Sequence, residues 1–121
     1  MCGIFGLKSS LYSEDQFHIL KSMGDSIVHR GPDDSGYFVN EKMALGMCRL
    51  SIIDLDTGKQ PIYSNDKNFV IVYNGEIYNY KELRINLENR NYSFYTNTDT
   101  EVIVNLYQEK GPECLQDLNG M

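Results

Sequence analysis

The sequence lacks the features of several common protein classes. It has no long apolar run: stretches such as residues 69–73 are far shorter than the ~20 residues of a membrane-spanning helix. With 11 basic against 17 acidic side chains, it has no basic stripe for a nucleic-acid backbone. Lys8 interrupts the first apolar stretch and no basic segment precedes it, unlike a signal peptide. These absences predict a soluble, cytoplasmic protein without membrane or nucleic-acid partners.

Cysteine is also scarce, with three residues at widely spaced positions: Cys2, Cys48 and Cys114. No two of them have the Cys-x-x-Cys spacing that is typical of metal ligands, and three thiols cannot all pair within one chain. Reduced thiols are the ordinary state in the cytosol. The pattern therefore favours free thiols in a reducing compartment, and it predicts no metal site.

The 121 residues are enough for one domain with a modest core. Apolar and β-branched segments predict strands at residues 2–7, 36–40, 43–54, 69–73 and 92–95. Capping patterns predict helices that begin at Ser13, Asn79 and Thr98, each with Gln or Glu three residues later. Phe17, Leu20, Met23 and Ile27 are spaced to form the buried face of the first helix. This order of elements favours an α+β fold or layered sandwich over a doubly wound parallel sheet.

Cys2 is the residue with the clearest potential chemistry. If Met1 is removed, one residue carries both a nucleophilic thiol and a free α-amine with an unperturbed pKa of roughly 7.7–8.0. Such an amine can move a proton at neutral pH, and a neighbouring base activates a thiol. The alternative is that Cys2 only begins a buried strand.

Other residues could complete a site for amide hydrolysis. The oxyanion that forms on the tetrahedral carbon needs donors, which Asn74 and Gly75 can supply from a side-chain amide and a backbone N–H. Asn-Gly is, however, also a typical hairpin turn. Arg49 suits a substrate carboxylate, whereas Glu76 and Asp99 suit an ammonium group. Taken singly, Arg49 could be a surface charge and Asp99 a helix cap.

Five sequence segments occur in one order along the chain and together carry a resemblance. They are Met1-Cys2-Gly3-Ile4-Phe5-Gly6, His29-Arg30-Gly31-Pro32-Asp33, Arg49-Leu50-Ser51-Ile52-Ile53-Asp54, Asn74-Gly75-Glu76-Ile77-Tyr78-Asn79 and Thr98-Asp99-Thr100-Glu101-Val102-Ile103. The set resembles the glutaminase domain of glutamine-hydrolysing asparagine synthetases. These are class II glutamine amidotransferases of the N-terminal-nucleophile hydrolase superfamily, and the resemblance covers the whole chain.

The resemblance implies a catalytic role for Cys2 as nucleophile, with Asn74 and Gly75 as the oxyanion hole. It also implies that the substrate glutamine is bound by further residues. Arg49 would hold its carboxylate, Glu76 and Asp99 would lie near its ammonium group, and the pocket would be lined by Leu50, Ser51, Ile52 and Ile53. Arg30 would be a structural or closing element near that pocket.

The resemblance implies an αββα four-layer sandwich, and we expect this chain to be truncated at its C-terminal end. The missing C-terminal synthetase domain would be its partner and would use ATP and magnesium to activate aspartate. The segment itself would need no cofactor. The oligomeric state stays open, with a homodimer among the alternatives.

Two other functions remain open at this point: an amidotransferase domain that feeds another acceptor, such as a sugar, and a non-catalytic binding module. Two features of the sequence bear on activity. Met47 stands where relatives often have histidine in a Gly-His-x-Arg pattern, which we expect to alter packing without abolishing chemistry. A chain that retains Met1 has an acylated Cys2 nitrogen and should be inactive as a glutaminase.

Overall fold

The computed structural model describes residues 2–8, 13–50 and 58–121, apart from the side chain of Ser13. These residues divide into two compact units. The first comprises the described residues of Met1–Ile52 with Lys59–Pro61 and Val72–Asn74. The second comprises Ile62–Ile71, Gly75–Met121 and the described part of Ile53–Gly58. Both contain helices and antiparallel strands, which confirms the α+β class.

The first unit is a helix packed on a three-stranded antiparallel sheet. Strands β1 (Gly3–Lys8) and β2 (Asp34–Val39) both pair with β3 (Met43–Arg49), so the strand order is β1-β3-β2. Helix α1 (Ser13–Ser26) covers one face of the sheet, and a short 3-10 helix (Val28–Arg30) follows it.

The strand register determines which residues of β3 face the helix. The Sγ atom of Cys48 donates to the carbonyl of Gly24 in α1 at 3.4 Å, so Cys48 points toward α1. Because side chains alternate along a strand, Met47 and Arg49 point to the opposite face. Gly3 is paired with Cys48, which brings the start of β1 to the end of β3.

The predicted buried face of α1 is correct only in part. Leu20 is fully buried, but Phe17 is 41% exposed and packs edge-on against Tyr37 at 5.6 Å between ring centroids. The buried residues instead recur every four positions at Gln16, Leu20 and Gly24. A side chain at position 24 would meet the ring of Phe5 at 2.9 Å, so the glycine lets the helix approach the sheet closely.

The second unit combines a small sheet with two helices. Strands β4 (Ile62–Tyr63) and β5 (Val70–Ile71) form a two-stranded antiparallel ladder. Helix α2 (Tyr80–Glu88) precedes helix α3 (Asp99–Lys110), and a 3-10 helix (Gly111–Gln116) follows. Helix α3 packs against the ladder, and a buried core cluster contains Leu87, Val102, Leu106 and Cys114.

Two predicted strands differ from the structure. The strand predicted at 69–73 is reduced to two residues, since only Val70–Ile71 pair with β4. Residues 92–95 form no strand, because the backbone N–H of Tyr95 donates to a side chain of α3 and not to a neighbouring strand. The strand predicted at 43–54 begins where expected and continues through Arg49, while residues 51–57 lie outside the described part.

The capping prediction for Asn79 is wrong, although α2 begins directly after it. The side chain of Asn79 makes no cap hydrogen bond. It donates instead to the carbonyl of Asp117 at 2.8 Å and accepts from the backbone N–H of Asn119 at 3.0 Å. The side-chain amide thus ties the start of α2 to the segment before the C-terminus. Within the described ranges, no helix has the length and apolar character to cross a membrane.

Candidate active site

The thiol of Cys2 lies against the backbone of Leu50. The backbone N–H of Leu50 is 3.4 Å from Sγ, and Sγ is 3.7 Å from the Leu50 carbonyl. These contacts follow from the sheet register, since Cys2 directly precedes β1 and Leu50 directly follows β3. Cys2 is partly exposed. A partly exposed sulfur held beside the end of a strand suits a nucleophile, because a substrate can reach it and the backbone fixes its position.

Arg49 is the last residue of β3 and is 7% exposed. It points away from α1, on the same face as the buried Met47. A guanidinium keeps its charge at all physiological pH values and presents a planar fork of donors. Its position next to Leu50 in sequence brings a fixed positive charge to the strand end where Cys2 lies.

The loop after the 3-10 helix is pressed against this strand end. The backbone N–H of Asp33 donates to the carbonyl of Arg49 at 3.1 Å. A Cβ atom on Gly31 would lie 2.3 Å from the Cys48 carbonyl oxygen and 2.5 Å from the Arg49 carbonyl carbon. Only glycine therefore permits this close approach. This requirement explains why the His-Arg-Gly-Pro-Asp segment has glycine at position 31. Arg30 is exposed, and its role stays a prediction.

Asn74 is held indirectly through the residue before it. The side chain of Gln60 accepts from the backbone N–H of Tyr73 at 2.7 Å and donates to the Tyr73 carbonyl at 3.2 Å. Gln60 thus replaces a neighbouring strand at this position. A Cβ atom on Gly36 would lie 1.7 Å from the Gln60 carbonyl oxygen, so glycine in β2 lets Gln60 come close. Asn74 itself is exposed at the end of this segment.

In the second unit, Glu76 and Asp99 are linked through Ile77. Glu76 and Met121 exchange two backbone hydrogen bonds of 2.9 Å each. The N–H of the next residue, Ile77, donates to Oδ2 of Asp99 at 2.8 Å. This bond ties the carboxylate of Asp99 to the segment that follows Gly75. The Asn74-Gly75 pair is not the turn of a β-hairpin, since residues 72–76 include no strand.

Asp99 is the first residue of α3 and is partly buried. A carboxylate is favoured at a helix N-terminus by the unpaired N–H groups of the first turn. Because a carboxylate can accept about four hydrogen bonds, the bond from Ile77 leaves capacity for an ammonium group. The arrangement suits recognition of a substrate cation.

The two other thiols are less suited to nucleophilic chemistry. Cys48 is 2% exposed and Cys114 is fully buried. Burial raises the pKa of the Cys48 thiol, to which the negative charge of Asp25 also contributes. Burial likewise raises the pKa of Cys114, with a further contribution from Asp117. The thiolate is the reactive form, so both residues are poor nucleophiles at neutral pH.

A cleft of about 290 Å³ in the first unit lies on the α1 face of the sheet. Its lining includes Cys48, Tyr37 and the carboxylates of Asp25, Asp33 and Asp34. Neither Cys2 nor Arg49 lines this cleft. The side chain of Arg49 points to the other face of the sheet. A carboxylate-bearing substrate would also be repelled by its acidic walls. This cleft is therefore not assigned to glutamine.

The predicted site residues thus fall into two groups, one in each unit. The first unit brings Cys2 and Leu50 into contact next to Arg49, and it also contains Asn74. The second contains Gly75, Glu76 and Asp99. Three predicted pocket residues lie outside the described part of the chain, namely Ser51, Ile52 and Ile53.

Sequence reasoning missed the residues that hold these groups in place. Gln60 gave no signal, because it is a single amide in a polar segment, and its partner Tyr73 is 13 residues away. The sequence around Glu101 indicates only a capping pattern. Across the described ranges, no three His, Cys, Asp or Glu side chains are grouped so as to hold a metal ion.

The sequence matches a known domain family and several known proteins along its whole length. The model of a glutamine amidotransferase domain family matches residues 1–121. The chain is 48% identical to glutamine-hydrolysing asparagine synthetase 2 of Bacillus subtilis (strain 168) and 44% identical to asparagine synthetase 1 of that strain. It is also 44% identical to asparagine synthetase B of Escherichia coli (strain K12). Each match covers 100% of this chain, which spans only 16%, 20% and 22% of these relatives respectively.

Proposed function

The chain belongs to the glutamine amidotransferase domain family, and we propose that Cys2 is the nucleophile with which it hydrolyses glutamine. The observation that carries this proposal is the thiol of Cys2 beside the N–H of Leu50, the residue that follows the buried Arg49 in the chain. The high identity to glutamine-hydrolysing enzymes over the whole chain supports glutamine as the substrate.

The first step is attack by the thiol. After removal of Met1, the free α-amine of Cys2 takes the thiol proton, and Sγ attacks the side-chain carboxamide carbon of glutamine. The N–H of Leu50 at 3.4 Å holds Sγ in position for the attack. An amine with a pKa near neutrality suits this exchange, because it can accept and return a proton at the same pH.

The second step is expulsion of ammonia. The side-chain amide of Asn74 and the N–H of Gly75 stabilise the oxyanion, and each such donor contributes about 10²–10³-fold in rate. The protonated amine returns its proton to the departing nitrogen, so the C–N bond breaks, ammonia leaves and a thioester remains. Water then cleaves the thioester, which releases glutamate and restores the thiol.

Substrate recognition is assigned to two charges. Arg49 binds the α-carboxylate of glutamine through two parallel N–H donors, a pairing that a lysine could not reproduce. Asp99, assisted by Glu76, binds the α-ammonium group. Pocket lining by Leu50, Ser51, Ile52 and Ile53 belongs to the same proposal.

We further propose that the chain is part of an αββα sandwich in a longer asparagine synthetase. Each unit contributes a helix packed on antiparallel strands, which is the pairing of layers that such a fold requires. The chain spans 16–22% of relatives that are named asparagine synthetases. In the whole protein, the ammonia would be transferred to aspartate by a C-terminal domain that uses ATP and magnesium. Formation of asparagine that depends on aspartate and ATP would test the acceptor.

The experiment for the nucleophile measures glutamate release by the intact protein, with loss of Met1 verified by mass spectrometry. Cys2→Ala should abolish release, whereas Cys48→Ala, which removes a buried thiol of β3, should retain it. Equal turnover by Cys2→Ala and the wild type would refute the proposal.

A further inference from the structure

We propose that Glu101 is a positioning residue that holds Asp99 in place for the α-ammonium group of glutamine. This inference rests on the proposed function, because it concerns how the substrate cation is recognised. Glu101 is 1% exposed, and across the described ranges no lysine, arginine or histidine side chain forms an ion pair with it. A buried carboxylate without a cation is costly unless hydrogen bonds satisfy it.

Three donors from the preceding loop satisfy this carboxylate. Oε1 accepts from the backbone N–H of Tyr95 at 2.9 Å. Oε2 accepts from the backbone N–H of Thr96 at 2.7 Å and from its hydroxyl at 2.6 Å. Glu101 therefore takes the place of a neighbouring strand and fixes the loop that leads into α3.

These three bonds from Tyr95 and Thr96 to Glu101 form a clamp on the loop before α3. The clamp differs from an ordinary capping box. In that motif, the acidic residue at the third helical position bonds the backbone N–H of the N-cap residue. Here the N-cap is Thr98, whose Oγ1 accepts from the backbone N–H of Glu101 at 3.4 Å. The N–H of Thr98, however, donates to Oγ1 of Thr96 at 3.2 Å. The Glu101 carboxylate is thereby free to reach the loop two and three residues before the cap.

The hydroxyl groups close this network. A carboxylate only accepts, so the Thr96 hydroxyl donates its single proton to Glu101. At the 2.9 Å contact between the two threonine oxygens, Thr98 must then be the donor. Thr96 and Thr98 are 2% and 7% exposed, so water does not compete freely for these bonds.

Asp99 lies between the two ends of this clamp. Thr98 precedes it and Glu101 follows two residues later, so the Asp99 backbone is fixed on both sides. Its Oδ2 atom accepts from the N–H of Ile77 at 2.8 Å, which sets the orientation of the side chain. Release of the Glu101 clamp should therefore let the first turn of α3 move and weaken the bond from Ile77.

Arg84 of α2 makes a second set of contacts with the same loop. Nη1 of Arg84 donates to the carbonyl of Thr96 at 2.7 Å, and the guanidinium lies 4.5 Å from the ring centroid of Phe94. Arg84 keeps the loop attached to α2 when Glu101 is changed. A Glu101 variant should therefore perturb Asp99 without unfolding the unit.

The test uses Glu101→Gln in the intact protein, with Glu109→Gln as the matched control. Glu109 is on the same helix, but its carboxylate pairs with Arg90 and not with the loop. In Glu101→Gln, an N–H₂ group replaces one of the two carboxylate oxygens. Since both oxygens accept from a backbone N–H, at least one of these hydrogen bonds is lost. We expect the KM for L-glutamine to rise about tenfold, as loss of such a bond would give, with kcat changed less than about threefold.

Two further arms separate positioning from a general structural effect. For 4-carbamoylbutanoate, which is glutamine without its α-ammonium group, the KM of Glu101→Gln should equal that of the wild type. With L-glutamine, Asp99→Asn combined with Glu101→Gln should cost no more than Asp99→Asn alone. Thr96→Val, which removes only the hydroxyl, should raise the KM for L-glutamine in the same direction and by less.

Opposite results would overturn the inference while leaving the proposed function intact. They are an unchanged KM for L-glutamine in Glu101→Gln, or equal increases for L-glutamine and 4-carbamoylbutanoate. If the wild type hydrolyses no glutamine, the proposed function fails. Hydrogen exchange at the Ile77 amide then tests by itself whether Glu101 holds Asp99 in contact with Ile77. Faster exchange in Glu101→Gln than in Glu109→Gln would support the clamp, and equal exchange would refute it.

Discussion

Replacement of Arg49 by lysine tests the carboxylate-binding role directly. Arg49 is 7% exposed, so its contacts with a substrate would be shielded from water. Lysine keeps the positive charge but replaces a planar fork by a single point of donation. The loss of one of two charge-assisted hydrogen bonds corresponds to about 1.5–3 kcal/mol, or about ten- to a hundredfold in affinity.

The assay is steady-state glutamate release over a range of glutamine concentrations. Because the bond to the α-carboxylate is made equally in the ground state and the transition state, the KM should rise while kcat changes little. With glutamine α-amide, which has no carboxylate, Arg49→Lys and the wild type should have the same KM. Arg90→Lys is the control, since Arg90 is exposed and pairs with Glu109.

Two results would contradict a role for Arg49 in carboxylate binding. An unchanged KM for glutamine in Arg49→Lys would show that the carboxylate is bound elsewhere. Equal increases for glutamine and its α-amide would show that the substitution acts through packing at the end of β3. The melting temperature of each variant should be measured to verify that the protein is folded.

Three further predictions concern other contacts. Gln60→Ala removes both side-chain bonds to Tyr73 and should lower kcat roughly tenfold, less than loss of an oxyanion donor itself; an unchanged kcat would contradict this. Gly111→Ala places a Cβ at a φ of +62° with nothing within 4 Å, so denaturant unfolding should show a loss of about 1 kcal/mol from strain alone. Full wild-type stability would disprove that strain. Iodoacetamide at neutral pH should leave Cys48 and Cys114 unmodified in the folded protein, as peptide mass mapping can measure, since burial raises the pKa of both thiols; rapid modification of either would contradict their burial.

Elements with local signals could be predicted from the sequence. Helix α3 begins after Thr98 and ends before Gly111, because an N-cap hydroxyl and a glycine in the left-handed region act within a few residues. The start of β3 at Met43 was likewise predicted correctly. The resemblance supplied the family, which the comparison with known proteins confirmed.

Contacts between distant residues could not be predicted in the same way. The bond between Leu50 and Cys2 joins residues 48 positions apart and depends on the register of β1 with β3. Asn79 was predicted to cap α2, but its side chain forms hydrogen bonds with the backbone of Asp117 and Asn119 instead. Glu101 fits a capping pattern by spacing, yet its carboxylate bonds the loop before the cap. For Asn79 and Glu101 the local pattern was present, and a tertiary partner determined which bonds the side chain makes.

Covalent labelling of Cys2 would show whether its sulfur attacks bound glutamine. The mature protein is treated with a diazo-ketone analogue of glutamine, digested, and mapped by mass spectrometry. We expect a single adduct on the N-terminal peptide that begins at Cys2, formed more slowly when excess glutamine is present. An unlabelled Cys2, or labelling that glutamine does not slow, would contradict this expectation.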